Sequence, residues 1–476
     1  IKKWCKKGLD LVRYMENMID RRLICDCKSV FYSWLGNLAK GNLELSTAKK
    51  YYKYILDMDY PETCEKKFRT NEGVAYNKLG DIAVIEGNFK EARDCFNRGI
   101  EVFKMQYEQW KNEKVLLAMG DAYAGLADIE KRKRHFANAA EFDKKYFEIG
   151  LHIMERMNNR ERDVYGPLIK SCTRLMESYY SAGRLNLAQE WSEKGIIYCE
   201  SALKKVVGFR IRMDIANFYR VGGKVKRACG KWMLSKEWYQ KSLDYCEALW
   251  EEGIYKMEIL EKMLVLYSVL GGMNLDINDL EGAVRCQKKS TGLLKQWEQH
   301  SEWMQFKESF VAAESENFLL SAHIYEKKYE FEDADIWYAK AINCLEKSTG
   351  EIQFRNRSLS RIYRYRGEAA MKNRNWDNAE QWLKKACEII TFCKTCNESM
   401  EDRWEYIWGH ITLAQMYEQQ NRLDLAKSEF YDCFDFYSQR SGEIKSLIER
   451  GRFVSVTLSY MCILKKQNQL KDLGIW

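Results

Sequence analysis

The chain reads as an all-α solenoid, a row of antiparallel helical hairpins, and three observations predict it. Nine small residues, Ala48, Ala92, Ala139, Ala188, Ser235, Ala283, Ala334, Ala379 and Ala426, return at intervals of 44, 47, 49, 47, 48, 51, 45 and 47 residues. Self-similarity at a fixed period of this size marks the stacking of one repeated supersecondary unit. Only two prolines, Pro61 and Pro167, occur in 476 residues. Almost nothing therefore interrupts helices, where an interior proline costs about 3 kcal/mol. Aromatic residues at 13% are enough to fill the seams between many helices.

Taken in order, residues 1–22 suggest a capping helix packed through Trp4, Leu9, Leu11, Val12, Tyr14 and Met15. Residues 23–440 divide into about nine hairpins. One carries Tyr32, Leu35, Gly36, Ala48 and Tyr52. The clearest runs from Tyr76 to Gly99. Tyr76, Leu79, Gly80 and Ala83 fall three, four and seven apart, on one helical face. Gly87 and Asn88 then break the helix, because both enter left-handed backbone conformations cheaply. A second helix buries Phe89, Ala92, Phe96 and Gly99, and small residues at Gly80 and Ala92 let the pair approach closely.

The same arrangement returns with Leu175, Tyr179, Gly183, Ala188 and Gly195. It returns again with Phe318, Ala322, Tyr325, Phe331, Ala334, Tyr338 and Ala341. Tyr363, Gly367, Trp376, Ala379, Leu383 and Ala386 form another copy, and Leu413, Ala414, Tyr417, Leu423, Ala426 and Phe430 a last one. The copies around Ala139, Ser235 and Ala283 are placed by spacing. Two of these suggest long turns, since Gly223 to Ser235 and Gly271 to Ala283 each span twelve residues against five from Gly87 to Ala92. Residues 441–476 suggest a closing helix with Phe453, Val454, Val456, Leu458 and Met461, and an apolar ending, LKDLGIW.

An aromatic, then Leu-Gly, a Gly turn, and Ala-aromatic-Ala on the second helix resemble the tetratricopeptide repeat family over roughly residues 23–440. The resemblance implies a right-handed superhelical scaffold that holds peptides or protein partners and has no catalytic residues of its own. The usual unit is about 34 residues. Here the mean of eight intervals over 378 residues is about 47, which lengthens each helix by about six residues. Long units of this sort resemble those of bacterial peptide-sensing regulators and of the sensor arrays of signal-transduction NTPases. A chain that starts at Ile1 rather than Met suggests a piece of a larger protein, with an effector domain before Ile1.

Composition points away from most chemistry. Net charge is +8 from 77 basic and 69 acidic residues, a mild excess for a nucleic-acid binder. The basic run Lys131–Arg134 and the stretch KVKRACGK keep nucleic-acid binding as a lesser reading. Cys95, Cys172, Cys199, Cys246, Cys286, Cys344, Cys387 and Cys433 lie inside helical patterns, where a free thiol acts as a small apolar filler. With no secretory signal and no long apolar run, a reduced cytoplasm and no membrane partner are expected. Cys393 and Cys396 form the only CxxC, without the second pair that structural zinc needs. No phosphate loop or nucleophile elbow occurs, so no cofactor, metal or enzyme activity is expected.

Binding is the remaining function, and charge on the first helix of each hairpin is where to look. Arg357, Arg361, Arg364, Glu368 and Lys372 are spaced four, three, four and four apart on one face. Three arginines in line suit carboxylates or phosphates, because guanidinium forks bind them bidentately. Lys170, Arg210 and Arg220 add to the same inner wall, with His323 and Trp408 further along. The expected partner is an acidic peptide or protein surface. The alternative is a sensing module of a larger signalling protein.

Overall fold

A computed structural model describes residues 2–16, 18, 20–42, 44–60, 71–156, 165–204, 208–253, 256–298, 307–348, 352–391, 400–439 and 447–466. Among them every regular element is an α-helix. The chain divides into two compact units, one of Ile1–Ser178 and Gly195–Val207, the other of Tyr179–Lys194 and Gly208–Trp476. The first holds α1 (Lys2–Tyr14), α2 (Arg21–Gly41), α3 (Leu45–Leu56), α4 (Glu72–Ile85), α5 (Phe89–Trp110), α6 (Glu113–Arg132) and α7 (Phe136–Arg156). Helices α8 (Tyr165–Ser181) and α9 (Leu185–Leu203) are shared out between the units. The second unit continues with α10 (Phe209–Ala228), α11 (Trp232–Glu251), α12 (Lys256–Asp276), α13 (Leu280–Glu298) and α14 (Lys307–Lys327). It closes with α15 (Phe331–Glu346), α16 (Ile352–Lys372), α17 (Trp376–Thr391), α18 (Met400–Gln419), α19 (Leu423–Gln439) and α20 (Leu447–Lys466).

Eight of the hairpins are built by the same turn. Gly87, Arg134, Gly183, Gly230, Asn278, Tyr329, Arg374 and Asn421 all adopt left-handed backbone, with φ from 56° to 76°. Each lies five residues before one of the recurring small residues, Ala92 through Ala426. The next amide in every case reaches back five residues, from Asn88 to the carbonyl of Ala83 through to Arg422 and Tyr417, at 2.8–3.0 Å. This six-to-one bond with a left-handed residue inside it is the Schellman helix stop. It satisfies carbonyls that the helix end would otherwise leave orphaned.

The small residues of the period are the closest points of the pairing. All nine, Ala48 to Ala426, are fully buried. Opposite them, rings press on glycine backbone. A Cβ on Gly36 would stand 2.6 Å from the Tyr52 ring, and one on Gly80 would stand 2.8 Å from Phe96. The Phe96 ring is also pressed from the next hairpin, where a Cβ on Gly125 would lie 2.3 Å away. The core of each unit is thus a row of local clusters, such as Ala92, Phe96, Ile100, Ala122 and Leu126 in the first. In the second, Leu319, Ala322, Ala334, Tyr338 and Tyr363 form one of the same kind.

Three details differ from the sequence reading. No long loop follows Gly223 or Gly271, because α10 runs on to Ala228 and α12 to Asp276. The turns are the same three-residue stops as elsewhere, at Gly230 and Asn278. Gly222 and Gly223 instead make room for the Trp238 and Tyr239 rings. Helix α1 buries only Cys5 and Val12 and leaves Trp4, Leu11 and Tyr14 exposed. Helix α20 buries Val456, Tyr460, Ile463 and Leu464, while Val454 and Leu458 face outward. Phe453's side chain, the ending LKDLGIW and the Cys393/Cys396 pair lie outside the described residues. Among the described residues no helix is long and apolar enough to cross a membrane.

Candidate ligand-binding site

A cavity of about 1370 Å³ opens in the second unit. Most of its lining comes from the first helices of successive hairpins: α10, α12, α14, α16 and α18. That follows from the pairing, since the second helices carry the aromatic residues that fill the seams. Helix α10 offers Arg220, Lys224 and Arg227 at helical spacing, and α12 offers Glu261, Val265, Ser268 and Val269. Helix α16 presents Arg357, Arg361, Arg364, Tyr365, Glu368 and Lys372. Helix α18 adds Glu401, Trp404, Glu405, Trp408 and Thr412.

The arginine row is locked in ion pairs. Arg357 Nη1 reaches Glu401 at 3.1 Å and Asp402 at 3.3 Å. Arg361 pairs with Glu316 on α14. Arg364 gives Nη1 to Glu368 at 2.7 Å and Nη2 to Glu405 at 3.3 Å, with its plane over the Tyr365 ring. Lys372 pairs with Glu326. Glu316 holds the Arg361 guanidinium more firmly protonated than usual. Burial opposes the charge on Arg364, but Glu405 and Glu368 outweigh it and raise its pKa as well. These side chains are therefore fixed charges in a protected wall.

Glu401 ties the first and later helices of the unit together. It accepts from Lys224 on α10 at 2.6 Å and from the Tyr180 hydroxyl at 3.3 Å, besides Arg357. Burial would raise its pKa, yet Lys224 and Arg357 bring it down to about 2. Three buried donors nearby have no acceptor among the described residues: Arg361 Nε, Arg364 Nε and the Ser268 hydroxyl. Buried polar atoms without a partner are uncommon in folded chains, and each costs about 1–3 kcal/mol until it is met.

The residues expected from sequence divide cleanly. Arg220, Arg357, Arg361, Arg364 and Trp408 come together on the one cavity. Arg210 is exposed at the start of α10, outside it. Lys170 belongs to the first unit, where its charge acts on Asp121. His323 lies behind the wall, edge-on to the Tyr365 ring at 4.8 Å and the Tyr338 ring at 5.8 Å. Burial pulls its pKa down to about 4. Sequence reading missed Glu261, Ser268 and Trp404. Glu261, Val265 and Ser268 share a face by spacing, but α12 is apolar nearly all round and gives no sign of which face is open.

The basic stretches are partly consumed inside the fold. Lys131 pairs with the fully buried Asp143 at 3.2 Å. Lys226 is buried against Ser192 Oγ at 2.9 Å and the Trp238 ring, and burial lowers its pKa. All thirteen described cysteines are free thiols.

Residues 74–104 match the family model of the tetratricopeptide repeat. No curated protein matches the chain. Among solved structures, the apo form of RapI is similar with a TM-score of 0.54 at 11% identity, over 87% of this chain and 99% of that one. The apo quorum sensor NprR from B. thuringiensis is similar with a TM-score of 0.50 at 14% identity, over 80% and 91%. A signal transduction ATPase with a tetratricopeptide repeat sensor, PH0952 from Pyrococcus horikoshii, gives 0.48 at 14% identity, over 88% and 55%. At such identities the likeness concerns the fold.

Proposed function

We propose that this tetratricopeptide-type array, with units longer than the family's usual ~34 residues, is a non-catalytic binding protein whose second unit takes a short peptide or an extended segment of a protein partner. The observation that carries the reading is the cavity on α10, α12, α16 and α18, lined by charged and aromatic side chains. A space of about 1370 Å³ exceeds the ~300–1,000 Å³ of small-molecule pockets. It suits a chain molecule lying across several helices. Trp404, Trp408, Phe354 and Tyr365 provide flat apolar surface for side chains. The expected acidity of the partner is narrowed by the ion pairs: the arginine row already has its carboxylates, so a ligand gains little by competing for them.

That the quorum sensor NprR shares this fold fits a role in detecting such a ligand. Affinity selection from a pool of random-sequence short peptides tests the proposal. The unaltered chain should enrich a subset of the pool. Ala312→Trp, which fills the cavity from its α14 wall, should enrich none while keeping its helical content. Equal enrichment by both proteins would overturn the cavity as the site.

A further inference from the structure

The cavity's charges are not all satisfied, and those left over have opposite signs. Of its lining carboxylates, Glu316, Glu368, Glu401 and Glu405 are held by arginine or lysine. Glu261 on α12 also lines it and forms no ion pair among the described residues. Of the cations, Arg355 gives Nη1 to the Ser348 carbonyl at 3.0 Å without meeting a carboxylate, and Arg220 on α10 meets none either among the described residues. Its Nε and Nη2 donate only to Asn217 Oδ1, at 3.1 Å and 2.8 Å. That single acceptor splints the guanidinium and leaves the Nη1 hydrogens and one on Nη2 free. Both Arg220 and Glu261 are half-buried, on different helices of the same wall.

Paired charges gain little from a ligand, because a new contact must first displace an old one. Partly desolvated charges without a counter-ion gain most, since a hydrogen bond to a charged group is worth about 1.5–3 kcal/mol. We propose that Arg220 and Glu261 are the specificity pair of the cavity: the accepted ligand is dipolar, with a carboxylate on Arg220 and an ammonium or guanidinium on Glu261. This rests on the reading of the cavity as a peptide site and deepens it. The carboxylate has two sources, a C-terminus or an acidic side chain, and the cation likewise an N-terminus or a basic side chain.

The test starts from a peptide selected by the full chain. It is resynthesised with an amidated C-terminus, with an acetylated N-terminus, and with its acidic or basic side chains neutralised, and each form is titrated by calorimetry. Removing whichever group supplies the carboxylate should weaken binding roughly tenfold to a hundredfold. Arg220→Gln should lose the same factor for the parent peptide and almost nothing for the peptide already lacking that carboxylate. Glu261→Gln should behave alike toward the cationic group. Such non-additivity is the signature of direct contact. Both variants lie outside the ion-pair network and should keep the thermal midpoint of the parent. Binding that is indifferent to both charges, or additive losses, would overturn the dipolar pair and leave the peptide site standing. A chain that selects no peptide at all would overturn both.

Discussion

At the residue scale, His323 shows how a side chain can be prominent in sequence and have a structural task. It packs between two tyrosines, and four charged groups face it: Glu326, Arg361, Lys372 and Arg364. Burial holds the ring neutral with a pKa of about 4, against 6.5 when unfolded. The unfolded chain therefore takes up a proton first as pH falls. Stability should be complete above pH 6.5 and decline between about 6.5 and 4, by about 3 kcal/mol in all. Denaturant titrations across this range should show the decline, and His323→Phe should flatten it. An unchanged slope in the variant would assign the pH dependence to other groups.

At the element scale the turn decides more than the loop length. Each hairpin needs one left-handed residue, and glycine fills that place at Gly87, Gly183 and Gly230. Asn278 and Asn421 tolerate it through their short polar side chains. Arg374 does not, for its Cβ crowds the following carbonyl at φ 56°. The side chain is exposed, so little is lost by removing it. Arg374→Gly should stabilise the chain by about 1 kcal/mol, less the entropy glycine adds to the unfolded state. A lowered denaturation midpoint would mean that Arg374 contributes contacts outweighing its strain.

At the scale of the whole molecule, each unit is held by local seams, and in the second unit Glu401 adds a link of long sequence separation. Lys224, Arg357 and Tyr180 converge on it from three helices. Glu401→Gln would leave Lys224 without its counter-ion and Arg357 with Asp402 alone. The expected loss is about 2 kcal/mol, below the ~3–5 of a fully buried pair because a quarter of the side chain still reaches water. With a folded pKa of about 2 against 4.5, its contribution is present above pH 4.5 and lost as pH falls toward 2. Thermal melts of the two proteins at pH 7 and pH 3 should therefore show a gap that narrows at the lower pH. A gap as wide at pH 3 as at pH 7 would show that Glu401 acts through packing. The same logic applies to Arg361 and Arg364, whose removal would strand Glu316, Glu368 and Glu405 and unsettle the unit before it reported on binding.

By itself the sequence determined the period, the hairpin and its closest contacts. Ala48 to Ala426 are the fully buried points because only a small side chain lets two helix backbones approach, and that constraint is written one residue at a time. The side chains Arg220, Arg357, Arg361, Arg364 and Trp408 were also legible as one wall, since helical spacing fixes which residues share a face. Tertiary structure alone decided which of those charges are already answered. Glu316, Glu401 and Glu405 come from other helices, 41 to 45 residues from their arginines. The absence of an ion pair at Arg220, Arg355 and Glu261 among the described residues was equally out of reach. A charge's partner depends on which hairpins stand opposite each other, and no local pattern encodes that distance.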